Sequence, residues 1–327
     1  MPGVVFLNER PQESSFSPLD TCRRNALSPV MHRRWWSVGF LAVLPWLSGC
    51  LYHTHKVEKT TLAGPAMDAN VAQLVNGVND RYAAISSLTA TVDFQATTGG
   101  ARQGKETDIT PFHGYILLRK PAMLRVLALL PVVRTHAFDL ASDGKTFRLV
   151  IPPKSRAIVG SNSVTKPSTN ALENLRPDIF LDSVLVKSIE PERSVYRVST
   201  SVTRKEGKKL IESPEYDLQI GVEDPQATDG LKVRVLKPTR VIRFSRLTLL
   251  PIGQDIYSED GAVETHVEYG PYKQFGTAHM PSSIVIERPR EAFRITISVL
   301  KVVVNQPLGD EQFELKIPSE YKVQTLQ

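Results

Sequence analysis

The chain has 327 residues, 41% of them hydrophobic and 23% charged, and a formal net charge of +6. That length is ample to bury one sizeable core or two modest ones. The charge is too mild and too evenly interspersed for a nucleic-acid footprint, though it remains compatible with weak attraction to an anionic lipid surface.

The chain opens with a targeting pattern. Arg33 and Arg34 form a positive stretch, and Trp35 to Leu44 an apolar run too short to span a bilayer as a stable helix. Leu47-Ser48-Gly49-Cys50 follows and resembles the lipobox of bacterial lipoprotein signal peptides in all four positions. The resemblance implies cleavage before Cys50 and lipidation of that cysteine, so residues 1–49 read as a leader and Cys50 as a membrane anchor. An uncleaved membrane-touching segment with a chance cysteine is the alternative. Met31 to Gly49 alone has ordinary leader length, which leaves residues 1–30 as an over-assigned start or a long positive region. The other cysteine, Cys22, lies upstream of the cleavage, so the mature chain holds no disulfide. Removing five Lys/Arg and three Asp/Glu before Cys50 leaves it at +4. Leu51 rather than Asp after the cysteine favours an outer-membrane address at the periplasmic face, given an organism with an outer membrane.

Residues 50–64 show no period and read as a lipidated tether. His53 and His55 lack a third ligand nearby and are assigned to it. Val71, Leu74, Val75, Val78, Tyr82 and Ile85 recur at helical spacing, with Pro65 and Asp68 as the start and Asp68 as the cap. The period then changes to two: Leu88, Ala90, Val92, Phe94 and Ala96 alternate with polar residues and predict a half-buried strand. Gly99-Gly100 is read as opening a long polar loop before strands at Phe112 to Arg119 and Met123 to Leu130. Asp143-Gly144 and Asp260-Gly261 signal tight hairpins. Asn170 to Leu185 reads as a second short helical segment restarted at Pro177, and Phe293, Ile295, Ile297 and Val299 as the last strong strand. The predicted fold is α+β, a single curved antiparallel sheet of about ten strands, an unclosed half-barrel, with helices covering the concave face.

Residues with catalytic chemistry are sparse. The chain shows no Gly-x-Ser-x-Gly elbow, no His-Glu-x-x-His and no phosphate-cradling glycine loop. Ser163 and Lys166 match a bare Ser-x-x-Lys spacing without its companion motifs. Glu264, His266 and Glu268 share one strand face at a spacing better suited to a solvated surface than to a metal. The expectation is a protein that is not an enzyme and uses no metal or cofactor.

Gly114-Tyr-Ile-Leu-Leu-Arg-Lys-Pro121, Leu124-Arg125-Val126 and Leu140-Ala-Ser-Asp-Gly-Lys145, with the strand Phe147 to Ile151, resemble the central signature of the LolA/LolB lipoprotein-carrier superfamily. Phe313 to Pro318 looks like its closing strand, and the resemblance spans residues 65–323. Lys120 departs from it, standing where the family often has arginine, and residues 200–260 are longer than in a compact carrier. The resemblance implies an apolar cavity for acyl chains of lipoproteins or another amphiphile, and an anchored acceptor of the LolB kind. Cavity candidates are Leu88, Val92, Phe94, Ile116, Leu118, Leu124, Val126, Phe138, Leu140, Phe147, Leu149, Phe293, Ile295 and Ile297, each with plain core as its other reading. A charge at Leu118 is expected to abolish loading without unfolding. Arg125 faces opposite to Leu124 and Val126; it is a solvated strand arginine or, by the resemblance, a latch between sheet and helices. The alternative function is a non-catalytic regulatory or scaffolding lipoprotein that binds an envelope protein.

Overall fold

The computed structural model describes residues 59–100, 104–131, 135–162, 175–207, 209–224 and 235–326. The leader, Cys50, tether residues 51–58 with His53 and His55, the Ser163–Lys166 spacing and Asn170 to Asn174 lie outside the described residues. In chain order the elements are β1 (Thr60–Leu62), α1 (Val71–Ala83), β2 (Ser87–Gly100), β3 (Lys105–Arg119), β4 (Met123–Leu129), β5 (His136–Ser142), β6 (Thr146–Ile151) and β7 (Arg156–Ser161). There follow α2 (Pro177–Val184), β8 (Ser194–Glu206), β9 (Lys209–Asp224), β10 (Val235–Ser245), β11 (Pro251–Tyr257), β12 (Val263–Tyr269), β13 (Tyr272–Phe275), β14 (Ala278–Pro281), β15 (Ser283–Arg288), β16 (Phe293–Val304) and β17 (Lys322–Leu326).

Fifteen strands form one unclosed sheet running β9-β10-β11-β12-β15-β16-β2-β3-β4-β5-β6-β7-β17, and β13–β14 is a separate hairpin. The long strand β9 carries β8 along one edge and, along the other, β10 and then β1. Pairing is antiparallel except for β1 on β9 and β17 on β7. The count exceeds the expected ten because residues 194–224 fold into a long hairpin and both ends of the described chain add a short parallel strand.

Local sequence explains most elements, with corrections. The helix cap is Asn70, not Asp68: Asn70 Oδ1 accepts from Gln73 N at 2.8 Å, and Gln73 Oε1 accepts from Asn70 N at 2.8 Å. Asp68 instead accepts from Tyr216 Oη at 2.9 Å and from Arg246. The long loop expected after Gly99-Gly100 is ladder, since Gly99 pairs with Glu106 and Gly100 with Lys105. Polar residues on both faces hid a strand that extends past the core. At Asp143-Gly144 the turn is as predicted: Gly144 has φ +92, and Asp143 Oδ1 accepts from the amides of Lys145 and Thr146 at 2.8 and 2.7 Å.

Both helices lie on one face of the sheet, termed inner. Leu74 and Val78 of α1 pack on Tyr216, Leu218, Ile220, Ile242 and Phe244 of β9 and β10. From α2, Ile179, Phe180 and Val184 enter the larger core over β2 to β6, β12, β15 and β16. Helix cover is therefore partial, for a geometric reason. Helices of 13 and 8 residues are about 20 and 12 Å long at ~1.5 Å per residue, whereas the sheet adds ~4.8 Å per strand.

The outer face carries a strap. Residues 305–321 cross β3 to β7, where Leu315 packs with Ala141, Val150 and Ala157. Three outward arginines hold its backbone: Arg119 donates to Leu308 O, Arg125 Nη1 to Gln312 O at 3.0 Å and Arg148 Nη1 to Leu315 O at 3.0 Å. Phe313 is buried with the Arg119 guanidinium 5.3 Å from its ring centroid. Phe313 to Pro318 is thus no closing strand; arginines take carbonyls that a ladder would otherwise use, and β17 is the last strand.

Candidate functional site

Register arranges the inward side chains in rows. Leu88, Leu118, Leu124 and Phe147 form the first, and Ala90, Ile116, Val126, Leu140 and Leu149 the second. Val92, Gly114, Ala128 and Phe138 form the third, and Phe94 with Phe112 opens the fourth. The first row, and the second apart from Leu149, are buried in the core that α2 enters. Beyond them the face opens into a pocket of about 300 Å³, at the lower end of the ~300–1,000 Å³ that small-ligand sites span.

Its floor is an aromatic trio. Phe94 and Phe112 have centroids 5.5 Å apart, Phe112 and Phe138 5.8 Å apart and edge-on at 88°, and Phe94 and Phe138 6.4 Å apart. Gly114 permits this packing, because a Cβ there would lie 2.2 Å from Leu127 O and 2.8 Å from the Phe94 ring. Beside the trio β3 bulges: Phe112 faces Phe94 but Ile109 faces Ala96, so Thr110 and Pro111 oppose Gln95 alone. Pro111 has no amide to give the ladder, which places the bulge there. The bulge turns both Ile109 and Phe112 toward the pocket. Ala137, Leu149, Ile151, Phe293 and Ile295 complete the sheet side, and Leu175 and Phe180 the helical wall.

The helical wall is pinned by buried polar groups. Gln254 Nε2 donates to Asp182 O at 2.6 Å and to Tyr269 Oη at 2.8 Å, and Tyr269 Oη donates to Ser183 O at 3.0 Å. These bonds satisfy carbonyls in the last turn of α2. Burial pushes the Tyr269 hydroxyl well above the usual tyrosine range, so it stays a donor. On the same helix, burial and the neighbouring Asp182 raise the Asp178 carboxyl.

Of the sequence-derived cavity candidates, Phe94, Phe138, Leu149, Phe293 and Ile295 line the pocket. Leu88, Val92, Ile116, Leu118, Leu124, Val126, Leu140, Phe147 and Ile297 are buried in the core without lining it. Leu118, 2% exposed in the first row, is a core position where a charge would disrupt the fold rather than only the pocket. Sequence reading missed Phe112 on the floor and Ile109, Ala137, Ile151, Leu175 and Phe180 on the walls; Pro111, breaking a strand-like run, was the available signal for Ile109 and Phe112.

Arg125 does not reach the helices. Its Nε donates to Asp139 Oδ1 at 3.1 Å and its Nη2 to Asp139 Oδ2 at 2.8 Å, on the outer face beneath the strap. A sheet-to-helix contact is made by Lys120, whose Nζ donates to Tyr82 O near the end of α1 and lies 3.5 Å from the Tyr82 ring centroid. Burial lowers the Lys120 ammonium from its usual range.

On the outer face of β10 to β12 lies a separate ionic group. His266 Nδ1 donates to Asp255, whose other oxygen is 3.4 Å from Arg243 Nη1, and His266 Nε2 is 3.6 Å from Glu268. Glu264 turns away to Arg288 at 3.1 Å. The hydrogen bond to Asp255 raises the His266 imidazole above its usual 6.5. Among the described residues no group of three or more His, Cys, Asp or Glu is placed to hold a metal.

No protein-family model matches the chain, and no curated protein matches it. Solved structures to which it is similar include a LolA superfamily protein from Nitrosomonas europaea, at 12% identity and a TM-score of 0.42, covering 74% of this chain and 97% of that one. A domain assigned to outer membrane lipoprotein sorting in Vibrio parahaemolyticus is 11% identical, with a TM-score of 0.41 over 74% of this chain and 94% of its own. A DUF1329 family protein from Desulfovibrio piger is 12% identical, with a TM-score of 0.40 over 74% of this chain and 94% of its own.

Proposed function

We propose that this chain is a non-catalytic envelope lipoprotein, anchored through Cys50 at the outer membrane, that shelters acyl chain in the pocket between the inner sheet face and α2. On this reading it acts as a carrier or acceptor in lipoprotein sorting. The observation that carries the reading is the pocket itself: about 300 Å³, floored by Phe94, Phe112 and Phe138 and walled by aliphatic side chains. Alkyl groups need apolar area and no directional partners, which is what this surface offers. The lipobox-like Leu47 to Cys50 supports the anchor, and the signature from Gly114 to Lys145 supports the carrier role.

The test is mass spectrometry of the exported protein and of lipids extracted from it after gentle purification. Stoichiometric acyl lipid, with a diacylglyceryl group on Cys50, is the expected result. An empty pocket together with a stoichiometric protein partner would move the assignment to a scaffolding lipoprotein.

A further inference from the structure

The rim of the pocket is chemically lopsided. Among its described lining residues only Lys154 and Arg294 carry charge, and both are cationic. Arg294 is occupied, since its guanidinium pairs with Glu287 across the β15–β16 ladder. Lys154 is not: among the described residues its exposed ammonium makes no ion pair or hydrogen bond. It ends the short turn Pro152–Lys154 that follows β6, with the αL residue Ser155 after it at φ +46. Two prolines and this turn fix the backbone from which the lysine side chain rises at the pocket mouth.

We propose that Lys154 selects the ligand's headgroup, and that the pocket takes one alkyl chain of an amphiphile bearing an anionic head, a carboxylate or a phosphate. The inference rests on the acyl-binding reading and sharpens it in two respects. The volume suits part of one chain rather than several, because it stands at the bottom of the range for ligand sites. The charge at the mouth then faces whatever the chain carries, and among the described lining residues there is no carboxylate to neutralise it. Thr98, which follows Ala96 on the same strand face, adds a hydroxyl to the lining. A neutral ester head would leave Lys154 without a partner, and a quaternary ammonium would meet repulsion.

The experiment is displacement of a fluorescent alkyl probe from the exported protein by four amphiphiles that share a dodecyl-length chain: laurate, dodecyl phosphate, monolaurin and dodecyltrimethylammonium, all below their micelle concentrations. Laurate or dodecyl phosphate should bind about five- to tenfold more tightly than monolaurin, the range for one charge-assisted hydrogen bond discounted for exposure. Preference for laurate identifies a fatty acid as the source of the anion, and preference for the phosphate a lysophospholipid. Lys154→Gln should reduce the preference to within about twofold, Lys154→Arg should keep it, and added salt should weaken it. Binding of all four within about twofold would overturn the headgroup inference and leave the acyl pocket standing. A preference that survives Lys154→Gln would overturn the role of Lys154. No displacement by any of the four, with no probe bound, would remove the acyl-binding reading itself.

Discussion

Arg125 and Asp139 meet in a two-pronged ion pair, at 3.1 and 2.8 Å, with Asp139 only 2% exposed and the remaining arm of Arg125 on the carbonyl of Gln312. One side chain therefore joins β4 to β5 and holds the strap against both. Arg125→Leu leaves a buried carboxylate without its cation, so a loss of about 3 kcal/mol is expected, with the strap exchanging amide hydrogens faster than the inner core. Chemical denaturation and hydrogen exchange read both effects, and a wild-type midpoint would rule the pair out as a clamp.

Pocket and core positions should respond oppositely. Ala137→Trp adds bulk where the pocket is open and is expected to lower alkyl-probe affinity at least tenfold with little change in melting temperature. Leu124→Ala removes a fully buried side chain from the first row and should cost about 2–5 kcal/mol while leaving probe affinity within about twofold. Equal probe binding by Ala137→Trp and wild type would mean that the ligand sits elsewhere.

Lys120 spans from the sheet to the end of α1. Lys120→Met keeps the stem but removes the donor to Tyr82 O and the charge over its ring, so α1 should dock less tightly by about 1–2 kcal/mol. The check is protease susceptibility around residues 84–86 together with the unfolding midpoint. Unchanged protection of α1 would show that apolar packing alone holds the helix.

Protonated His266 is favoured in the folded state by its hydrogen bond to Asp255, which sets its folded pKa above the unfolded 6.5. A raised histidine pKa means that the folded state binds the proton more tightly. Its contribution is then complete below pH 6.5 and is lost as pH rises through the folded value. Stability should fall across that window in the wild type, and His266→Gln should flatten this part of the profile. Denaturation midpoints measured from pH 5.5 to 8.5, about two units above the reference histidine value, decide it; identical slopes in the two proteins would exclude His266 as the source.

The alternation of β2 made its buried face readable, and Leu88, Val92 and Phe94 are all buried as it requires. It carried no information on depth along the strand: Val92 and Phe94 look alike in sequence, yet only Phe94 reaches the pocket. Which row a residue occupies depends on pairing across β2 to β6, and the bulge at Pro111 shifts that pairing. The same limit applies to Arg125. Its outward direction follows from Leu124 and Val126, but of its partners Asp139 is fixed by strand register and Gln312 comes from a strap that begins some 180 residues later. Even the cap of α1 turned on context, since Asp68 and Asn70 are both good caps and only Asn70 has Gln at the third position after it.

The two ends of the great sheet are unequal. At one, the parallel β17 leaves a border of five residues, too short to give an incoming strand much to pair with. At the other, β8 presents thirteen residues, with Arg197, Arg204 and Lys205 set along it. A sheet with two long open borders invites unlimited end-to-end growth into ribbons, whereas one with a single long border can at most join two copies edge to edge along that border. Beneath β17 lies β7, itself only six residues long, so this end of the sheet is short at both of its last two strands and the capacity to pair with an incoming strand is concentrated at β8.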